Sequence, residues 1–274
     1  MLLAAGRGER MRPLTDSTPK PLLPVRGKPL MQWQLEALAR AGVGRVVVNT
    51  AWLGPQIAAQ FNDVLRLKPP SNKREKLSIQ DCLQIRYSHE GQDFGAALET
   101  AGGIARALPL LCPPAGAGAS PDVFWVLAGD VYVPDFVFSP AAVARFLASD
   151  KLAHLWLVPN PAHNLRGDFG LDVSVTGPES SSPIGLALNL PAFDARPRYT
   201  YSTIGLYRRA LFEPPWCEIA AGNPLGIKAP LAPLLRAAMD NGRVSAELYA
   251  GAWTDVGTPE RLQALNLIPP CAQP

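Results

Sequence analysis

The chain has 274 residues, 47% hydrophobic and 18% charged, and its 26 basic and 23 acidic residues give a net charge of +3. This length and apolar content allow one sizeable α/β core, and we expect a single domain over residues 1–274. The basic residues are scattered beyond the N-terminal segment, which argues against a nucleic-acid-binding face. No apolar run approaches the ~18 residues of a membrane span.

The residues that could bind a metal or undergo redox chemistry are dispersed along the chain. The cysteines show neither a CxxC pair nor metal-ligand spacing, and the histidines suggest neither a catalytic triad nor a zinc site. These residues are Cys82, Cys112, Cys217, Cys271, His89, His154 and His163. We therefore expect a reduced, cytoplasmic protein with no membrane or nucleic-acid partner. Because the first apolar run is short, we also expect a few residues to precede Met1 in the native chain.

Taken in chain order, the hydrophobic pattern predicts helices that alternate with strands. A turn at Gly27-Lys28-Pro29 leads into a helix, with Pro29 suited to its first position and Met31, Leu35 and Leu38 at helical spacing. Further helices are predicted at 55–61, 98–108 and 230–239, and from Pro259 onwards. Strands are predicted at 45–49, 83–88, 123–127, 155–158, 199–207 and 244–249, with a hairpin arm at 168–175. Loops are predicted at 67–76 and 112–121, and an irregular segment at 180–198.

This alternation indicates an α/β fold with a Rossmann-like, doubly wound sheet that is mostly parallel but mixed. In open α/β sheets, ligands bind beyond the carboxyl ends of the strands. The turn Gly6-Arg7-Gly8 follows the first apolar run, and Asp130 follows the predicted strand 123–127. Both positions are therefore candidates for a binding site.

The segment from Leu2 to Val25 carries the strongest functional signal. Glycines in its turn allow backbone N–H groups to approach a phosphate, and three arginines and a lysine follow. A dinucleotide-binding fingerprint would need a third glycine where Met11 stands, and the Gly-Lys-Ser/Thr of a Walker loop is absent from the sequence. A basic, proline-rich surface loop is the alternative interpretation.

The pattern GRGERMRPLT followed by PKPLLPV resembles the signature of the sugar-1-phosphate nucleotidyltransferase family. The resemblance implies an Mg²⁺-dependent enzyme that transfers a nucleotidyl group from UTP or another nucleoside triphosphate to a sugar 1-phosphate and releases pyrophosphate. By the same resemblance, Lys20 contacts the α-phosphate or the sugar phosphate and Arg10 grips the outgoing pyrophosphate. Asp130 and Asp255 match the metal-binding aspartates, although Asp255 also suits a plain turn or a helix cap before Pro259.

The resemblance also assigns residues to the two substrates. Backbone contacts to the nucleotide are implied for Leu3, Ala4, Ala5, Gly6, Gly8 and Gly102. Contacts to the sugar phosphate are implied for Glu99, Thr100, Arg166, Asp168 and Lys228. Two alternatives stay open: Gly102 could serve close helix packing, and Arg166 with Asp168 could belong to a solvated hairpin.

Within the family, phrases such as Arg166-Gly167-Asp168-Phe169 and Trp253 to Thr258 resemble the branch that uses UTP and N-acetylmuramate 1-phosphate in bacterial cell-wall recycling. Thr50 and Gly170 depart from that branch, so guanylyl or uridylyl transfer to mannose or glucose 1-phosphate stays open. A non-catalytic regulatory domain of the same fold is a third hypothesis. We expect a monomer or a weak homodimer.

Overall fold

The computed structural model describes residues 1–66, 82–113, 122–173 and 184–267. The loop predicted at 67–76 lies outside these ranges, as do residues 114–121 and 180–183 of the two other predicted loops.

Strands and helices alternate along the described chain. The strands are β1 (Leu2–Leu3), β2 (Pro24–Val25), β3 (Lys28–Pro29), β4 (Arg45–Thr50), β5 (Val64–Arg66), β6 (Cys82–His89), β7 (Val123–Ala128), β8 (Val131–Tyr132), β9 (Ala153–Val158), β10 (Phe169–Asp172), β11 (Gly185–Leu188), β12 (Arg198–Arg208), β13 (Val244–Leu248) and β14 (Thr254–Asp255). The α-helices are α1 (Leu14–Ser17), α2 (Leu30–Arg40), α3 (Gly54–Phe61), α4 (Glu90–Phe94), α5 (Glu99–Leu111), α6 (Pro140–Ala148), α7 (Leu231–Asp240) and α8 (Pro259–Leu267). None of the helices in the described ranges is both long and apolar enough to cross a membrane.

The chain divides into two compact units. The first unit comprises Leu2–Ala97, Ala128–Phe138 and Ala252–Pro274. Its strands lie in the order β1-β4-β6-β5, with β1, β4 and β6 parallel and β5 antiparallel to β6. The predicted β-branched strand is confirmed as β4, whose residues after Arg45 are all buried, as suits a strand covered on both faces.

A hydrophobic cluster in the first unit joins the N-terminal segment to the chain's end. Its buried members are Met11, Leu23, Val25, Leu30, Tyr132, Val256, Leu262 and Leu265. Burying one such large side chain stabilises the fold by roughly 1.5–3 kcal/mol relative to exposure. The cluster therefore anchors the segments that carry the predicted phosphate and metal residues.

The second unit comprises Met1, Leu98–Leu127 and Ser139–Gly251. Its strands lie in the order β10-β11-β13-β9-β12-β7. The β9 and β13 strands are parallel, whereas the other pairs are antiparallel. The register of β12 against β9 shifts between Tyr201 and Gly205, where Thr203 has a φ of +66°.

The mixed α/β class and the predicted helices and strands are confirmed, and most bounds differ by one to three residues. Two details were wrong. Pro29 is the last residue of β3, after the turn at Arg26 and Gly27, and precedes α2 without being its first residue. The segment predicted as irregular at 180–198 contains β11, which pairs with both β10 and β13. That strand lies between β10, which precedes it in the chain, and β13, which lies far along the chain, so local pattern alone does not reveal it.

Candidate active site

The first candidate group forms where β1 ends in the first unit. The carbonyl of Leu3 accepts a hydrogen bond from the N–H of Gly129 at 2.7 Å. A Cβ at position 129 would lie 2.8 Å from Leu2 Cδ2 and 2.9 Å from the Leu3 oxygen, so only glycine allows this approach. The consequence is that Asp130 lies directly beside the end of β1.

The glycine turn is held in a defined conformation. Gly8 has a φ of +69°, which favours glycine, and its carbonyl accepts bonds from the Met11 N–H and the Thr15 hydroxyl, both at 2.9 Å. Trp52, just before α3, contacts the loop at two points. Its Nε1 donates to the Thr15 carbonyl at 2.8 Å, and its ring centroid lies 3.8 Å from the Arg7 guanidinium carbon. The turn is therefore pre-organised by protein contacts.

Lys20 is held between two prolines, as its sequence predicts. The Leu22 N–H donates to the Pro19 carbonyl at 2.8 Å and the Leu23 N–H donates to the Lys20 carbonyl at 3.1 Å. The Lys20 side chain is 9% exposed, and its Nζ donates to Asp130 Oδ2 at 2.5 Å. The structure thus brings together a lysine and an aspartate that are predicted from separate motifs.

Asp130 and Asp255 lie on neighbouring chain segments. In the antiparallel pair β8–β14, Asp255 is opposite Val131, and the Val256 N–H donates to the Asp130 carbonyl at 3.0 Å. Asp255 Oδ2 accepts a bond from Arg261 at 2.8 Å. Asp255 therefore forms an ion pair with Arg261, a few residues further along the chain. This contact is compatible with the alternative that Asp255 is a turn or capping residue.

These two carboxylates fit a magnesium ion by the chemistry of their donors. Carboxylate oxygens are hard ligands, and Mg²⁺ in nucleotide enzymes commonly takes only one or two of them together with phosphate oxygens and water. Across the described ranges, no cluster of three or more His, Cys, Asp or Glu side chains could hold a metal by itself. A site completed by substrate phosphates is consistent with that arrangement.

The arginines of the loop differ in whether they form ion pairs with neighbouring carboxylates. Arg7 pairs with Glu9 at 2.7 Å, and Arg12 pairs with Asp16 at 2.8 Å. Arg10 is exposed, and within the described residues it makes no ion pair. Its guanidinium is the loop cation most accessible to an incoming anion.

Some predicted backbone contacts are already used by the protein. The Ala4 N–H donates to Asn49 Oδ1 at 2.9 Å and is therefore already occupied. Leu3 pairs with Asn49 in the β1–β4 register, and Ala5 is buried while Gly6 is exposed. Contacts between these residues and a nucleotide stay a prediction.

The second candidate group lies in the second unit, at the start of α5. Glu99 is exposed and has a φ of +59°, a strained value for a residue with a side chain. The N–H groups of Ala101 and Gly102 donate to the Ala229 carbonyl at 2.9 and 3.1 Å. Lys228, immediately before Ala229, is exposed. The structure thus places the Glu99–Gly102 turn beside the segment that carries Lys228.

Gly102 has a packing role in this arrangement. A Cβ at this position would lie 2.4 Å from the Ile227 carbonyl oxygen and 3.2 Å from the Ala229 nitrogen. This contact supports the alternative that the glycine serves close packing, here against backbone. Its contact with the nucleotide stays a prediction.

Arg166 and Asp168 occupy a turn before β10. The Asp168 carboxylate accepts bonds from the Tyr201 N–H at 2.8 Å and the Asn164 amide at 3.2 Å, so it holds the turn against β12. Arg166 is exposed. Asp168 therefore has a structural partner set, and the sugar-side role of both residues stays a prediction.

The chain is similar in sequence to known nucleotidyl transferases. The profile that describes nucleotidyl transferases matches residues 1–171. A protein of Neisseria meningitidis serogroup B named N-acetylmuramate alpha-1-phosphate uridylyltransferase is 44% identical over 266 residues, which cover 96% of this chain and 94% of the relative. The chain belongs to the nucleotidyl transferase family.

This nucleotidyl transferase is also similar to a more distant sequence relative and to a solved structure. The catalytic subunit beta of mannose-1-phosphate guanylyltransferase from Drosophila pseudoobscura pseudoobscura is 29% identical over 272 residues, covering 95% of this chain and 59% of the relative. A UTP-bound UGPase from Acinetobacter baumannii has a TM-score of 0.65 at 17% identity and covers 97% of this chain and 90% of that one. The predicted fold and enzyme class are confirmed: the chain is a sugar-1-phosphate nucleotidyltransferase.

Three buried polar residues near the candidate groups escaped the sequence analysis of this nucleotidyl transferase. Gln34, 2% exposed on α2, donates from Nε2 to the carbonyls of Ala128 at 2.7 Å and Val131 at 2.9 Å, and so fixes the turn that carries Asp130. Asn49 links Ala4 to Glu90, and Asn223 holds the segment before Lys228. The available signal was an amide side chain inside an apolar pattern, as with Gln34 in α2.

Proposed function

We propose that this nucleotidyltransferase transfers a uridylyl group from UTP to N-acetylmuramate 1-phosphate, giving UDP-N-acetylmuramate and pyrophosphate. The observation that carries the proposal is the 44% identity with the Neisseria uridylyltransferase over nearly the whole of both chains. A role in cell-wall recycling in the cytoplasm is part of the proposal. Within the described ranges, Cys82 and Cys217 carry free thiols, which suits a reducing compartment.

In this reaction, a phosphate oxygen of the sugar 1-phosphate forms a bond to the α-phosphorus of UTP, and the bond from that phosphorus to the bridging oxygen breaks. Pyrophosphate leaves with the electron pair. Extra negative charge accumulates on the α-phosphoryl oxygens, so the protein must mainly supply cations in fixed positions.

We propose that Lys20 stabilises this negative charge on the α-phosphoryl oxygens. Its restrained backbone and its 9% exposed side chain hold the ammonium in one place with little freedom to reorganise. A donor fixed before the reaction stabilises the transition state more than one that must be reoriented. Arg10, the exposed loop cation, is assigned to the leaving pyrophosphate.

Asp130 and Asp255 would hold Mg²⁺. A bound magnesium ion neutralises phosphate charge and orients the triphosphate. The chain's own contribution is to fix both carboxylates through the β8–β14 pair, with Gln34 supporting the Asp130 turn. The backbone of Leu3–Gly6 and Gly8 is assigned to the nucleotide, and Glu99, Thr100, Arg166, Asp168 and Lys228 are assigned to the sugar phosphate.

Guanylyl transfer to mannose 1-phosphate is the second candidate, because the Drosophila guanylyltransferase subunit aligns over 95% of this chain. Its lower identity of 29% and the 59% coverage of the relative make it the weaker candidate. A regulatory domain without activity would have no need for the Lys20–Asp130 pair, which is present.

The test is pyrophosphate release with Mg²⁺, using UTP or GTP in combination with the 1-phosphates of N-acetylmuramate, N-acetylglucosamine, glucose and mannose. The highest kcat/KM for UTP with N-acetylmuramate 1-phosphate is expected. A maximum for another pair would overturn the proposed substrates, and no turnover with any pair would favour the non-catalytic hypothesis.

The metal assignment has its own test. Asp130→Asn should abolish Mg²⁺-dependent turnover, whereas Asp135→Asn, which alters an exposed carboxylate a few residues further along, should leave it unchanged. The comparison uses rates over a magnesium titration, with Mg²⁺ binding followed independently by calorimetry in the presence of UTP. Unchanged metal dependence in Asp130→Asn would remove Asp130 from the site.

A further inference from the structure

Asn223 has an unusual environment for a loop residue. It is 0% exposed and has a φ of +40°. Its Nδ2 donates to the carbonyls of Gly102 at 3.1 Å and Ile227 at 2.8 Å, and its Oδ1 accepts from the Ile227 N–H at 2.9 Å. Both amide hydrogens and the amide oxygen are therefore used by backbone groups.

The Asn223 bonds belong to a larger set that ties residues 222–229, here called the 222–229 loop, to α5. The Gly222 N–H donates to the Ala105 carbonyl at 2.8 Å, and Arg106 donates to the Gly222 carbonyl at 3.0 Å. At the other end, the Ala229 N–H donates to the Leu98 carbonyl at 3.1 Å. The loop thus contacts α5 at both ends, and Asn223 supplies the side-chain bonds between them.

The backbone conformation at position 223 is one that glycine adopts more readily than asparagine. Gly222 and Gly226 also have positive φ values, of +85° and +63°, so this loop requires left-handed residues. Glycine adopts that conformation without the cost of about 1 kcal/mol that a side chain carries, although asparagine tolerates it better than most residues. An asparagine at this position is explained by its three hydrogen bonds.

We propose that Asn223 is a positioning residue for the acceptor: it fixes the 222–229 loop so that Lys228 is preset to bind the phosphate of a sugar 1-phosphate. This inference rests on the proposed function, in which Lys228 binds the sugar phosphate. Both residues that flank Lys228 are held: the N–H and carbonyl of Ile227 bond to the Asn223 amide, and the N–H of Ala229 donates to the Leu98 carbonyl. The Lys228 backbone therefore has little freedom. Pre-organisation of this kind lowers the entropic cost of binding the anion.

The test is Asn223→Gly in the full-length protein, because glycine keeps the left-handed backbone and removes only the amide. The KM for the sugar 1-phosphate should rise at least about tenfold, which corresponds to ~1.4 kcal/mol, and this rise should exceed any change in the KM for the nucleoside triphosphate. An unchanged KM for the sugar phosphate, or an equal rise for both substrates, would overturn the proposal.

A double-mutant cycle tests whether the effect acts through Lys228. In a Lys228→Ala background, Asn223→Gly should add little further increase in the KM for the sugar phosphate. Fully additive effects would contradict the role. Asn189→Ala is the matched control, because it also removes amide hydrogen bonds in the same unit, to Asp240 and Arg236.

If Asn223→Gly does not fold, Asn223→Asp provides the same comparison, since aspartate keeps the acceptor for Ile227 and loses both donors. The measurement uses whichever sugar 1-phosphate the wild-type protein turns over best. A wild-type preference for another sugar would overturn the proposed acceptor, while the shift in KM would still decide the role of Asn223.

Discussion

The Nζ atom of Lys20 lies 2.5 Å from Oδ2 of Asp130, and the lysine side chain is 9% exposed. A mostly buried ammonium needs a nearby opposite charge, since burial without a partner is costly. The pair therefore holds the lysine in position independently of any substrate. It also joins the two segments of the first unit that carry the phosphate and metal assignments.

Lys20→Ala should lower kcat/KM by about 100- to 1,000-fold, by analogy with the loss of one fixed donor to a developing negative charge. Steady-state kinetics with the preferred pair of substrates would measure the change. Lys28→Ala is the matched control: Lys28 Nζ lies 2.6 Å from Glu36 Oε2, and no candidate site residue contacts it. A fall of less than tenfold in Lys20→Ala would contradict the assigned role.

Gly8→Ala should lower kcat, whereas Gly42→Ala, with a similar loss of stability, should not. A Cβ at Gly8 would lie 3.1 Å from Thr15 Cγ2 and 3.3 Å from Lys20 Cβ and Cδ, so the lysine stem must shift. Gly42→Ala carries a similar backbone cost of about 1 kcal/mol, since its φ is +79°, but its Cβ would meet nothing within 4 Å. Thermal melting and kinetics should show similar Tm losses in both variants and a fall in kcat only in Gly8→Ala. Equal kcat values would indicate that Gly8 does not position Lys20.

Asn49→Ala should destabilise the first unit. Asn49 Oδ1 accepts from the Ala4 N–H, and its Nδ2 donates to Glu90 Oε1 at 2.7 Å, where Glu90 is fully buried. Each buried group left without this partner costs about 1–3 kcal/mol. Asn266→Ala also removes two hydrogen bonds, to the Arg26 N–H and the Pro24 carbonyl, but from an exposed residue. Denaturant unfolding should show a clear loss for Asn49→Ala and a loss near zero for Asn266→Ala, and equal losses would be inconsistent with this account.

His154 should make the protein less stable in acid. Burial, and after it the charge of Arg145, lower the pKa of His154 to about 3, whereas an unfolded histidine has a pKa near 6.5. Between these values the unfolded chain takes up a proton that the folded chain does not, so the free energy of unfolding falls as the pH decreases. The slope from one such group is at most about 1.4 kcal/mol per pH unit.

His154→Gln should therefore flatten the pH dependence between pH 6.5 and 4.5 and leave the slope above pH 6.5 unchanged, as measured by denaturant unfolding. Burial raises the pKa of the neighbouring Glu247, against the lowering effects of its Trp156 bond and Arg145. Glu247 therefore acts in the opposite direction, stabilising the fold as the pH decreases. Repeating the comparison in a Glu247→Gln background removes that contribution, and parallel curves there would refute the role of His154.

The sequence allowed prediction of the parts of the site that short motifs specify. Lys20 and Asp130 were predicted separately, because a lysine between prolines and an aspartate after an apolar strand each have a local signal. The bond between them and the β8–β14 pair depends on tertiary contacts. Their proximity was thus an implication of the family resemblance, and the structure supplies its geometry.

Other features had no local signal. The role of Gly102 could not be decided from sequence, because the backbone that covers it comes from Ile227 and Ala229, far along the chain. β11 was missed because its pairing with β13, far along the chain, leaves no local pattern. In both cases the deciding contact lies between segments whose pairing no local pattern records.

The anchoring of the 222–229 loop has a practical consequence for protein engineering. Its attachments to α5 use main-chain atoms, the Asn223 amide and the Arg106 guanidinium, whereas the side chains of Leu225 and Lys228 are exposed. Combinatorial libraries at position 225 would therefore vary the chemistry of the loop while its path and Lys228 are preserved. Variants at this position would present new side chains in the same loop as Lys228 without removing the bonds that hold the loop to α5.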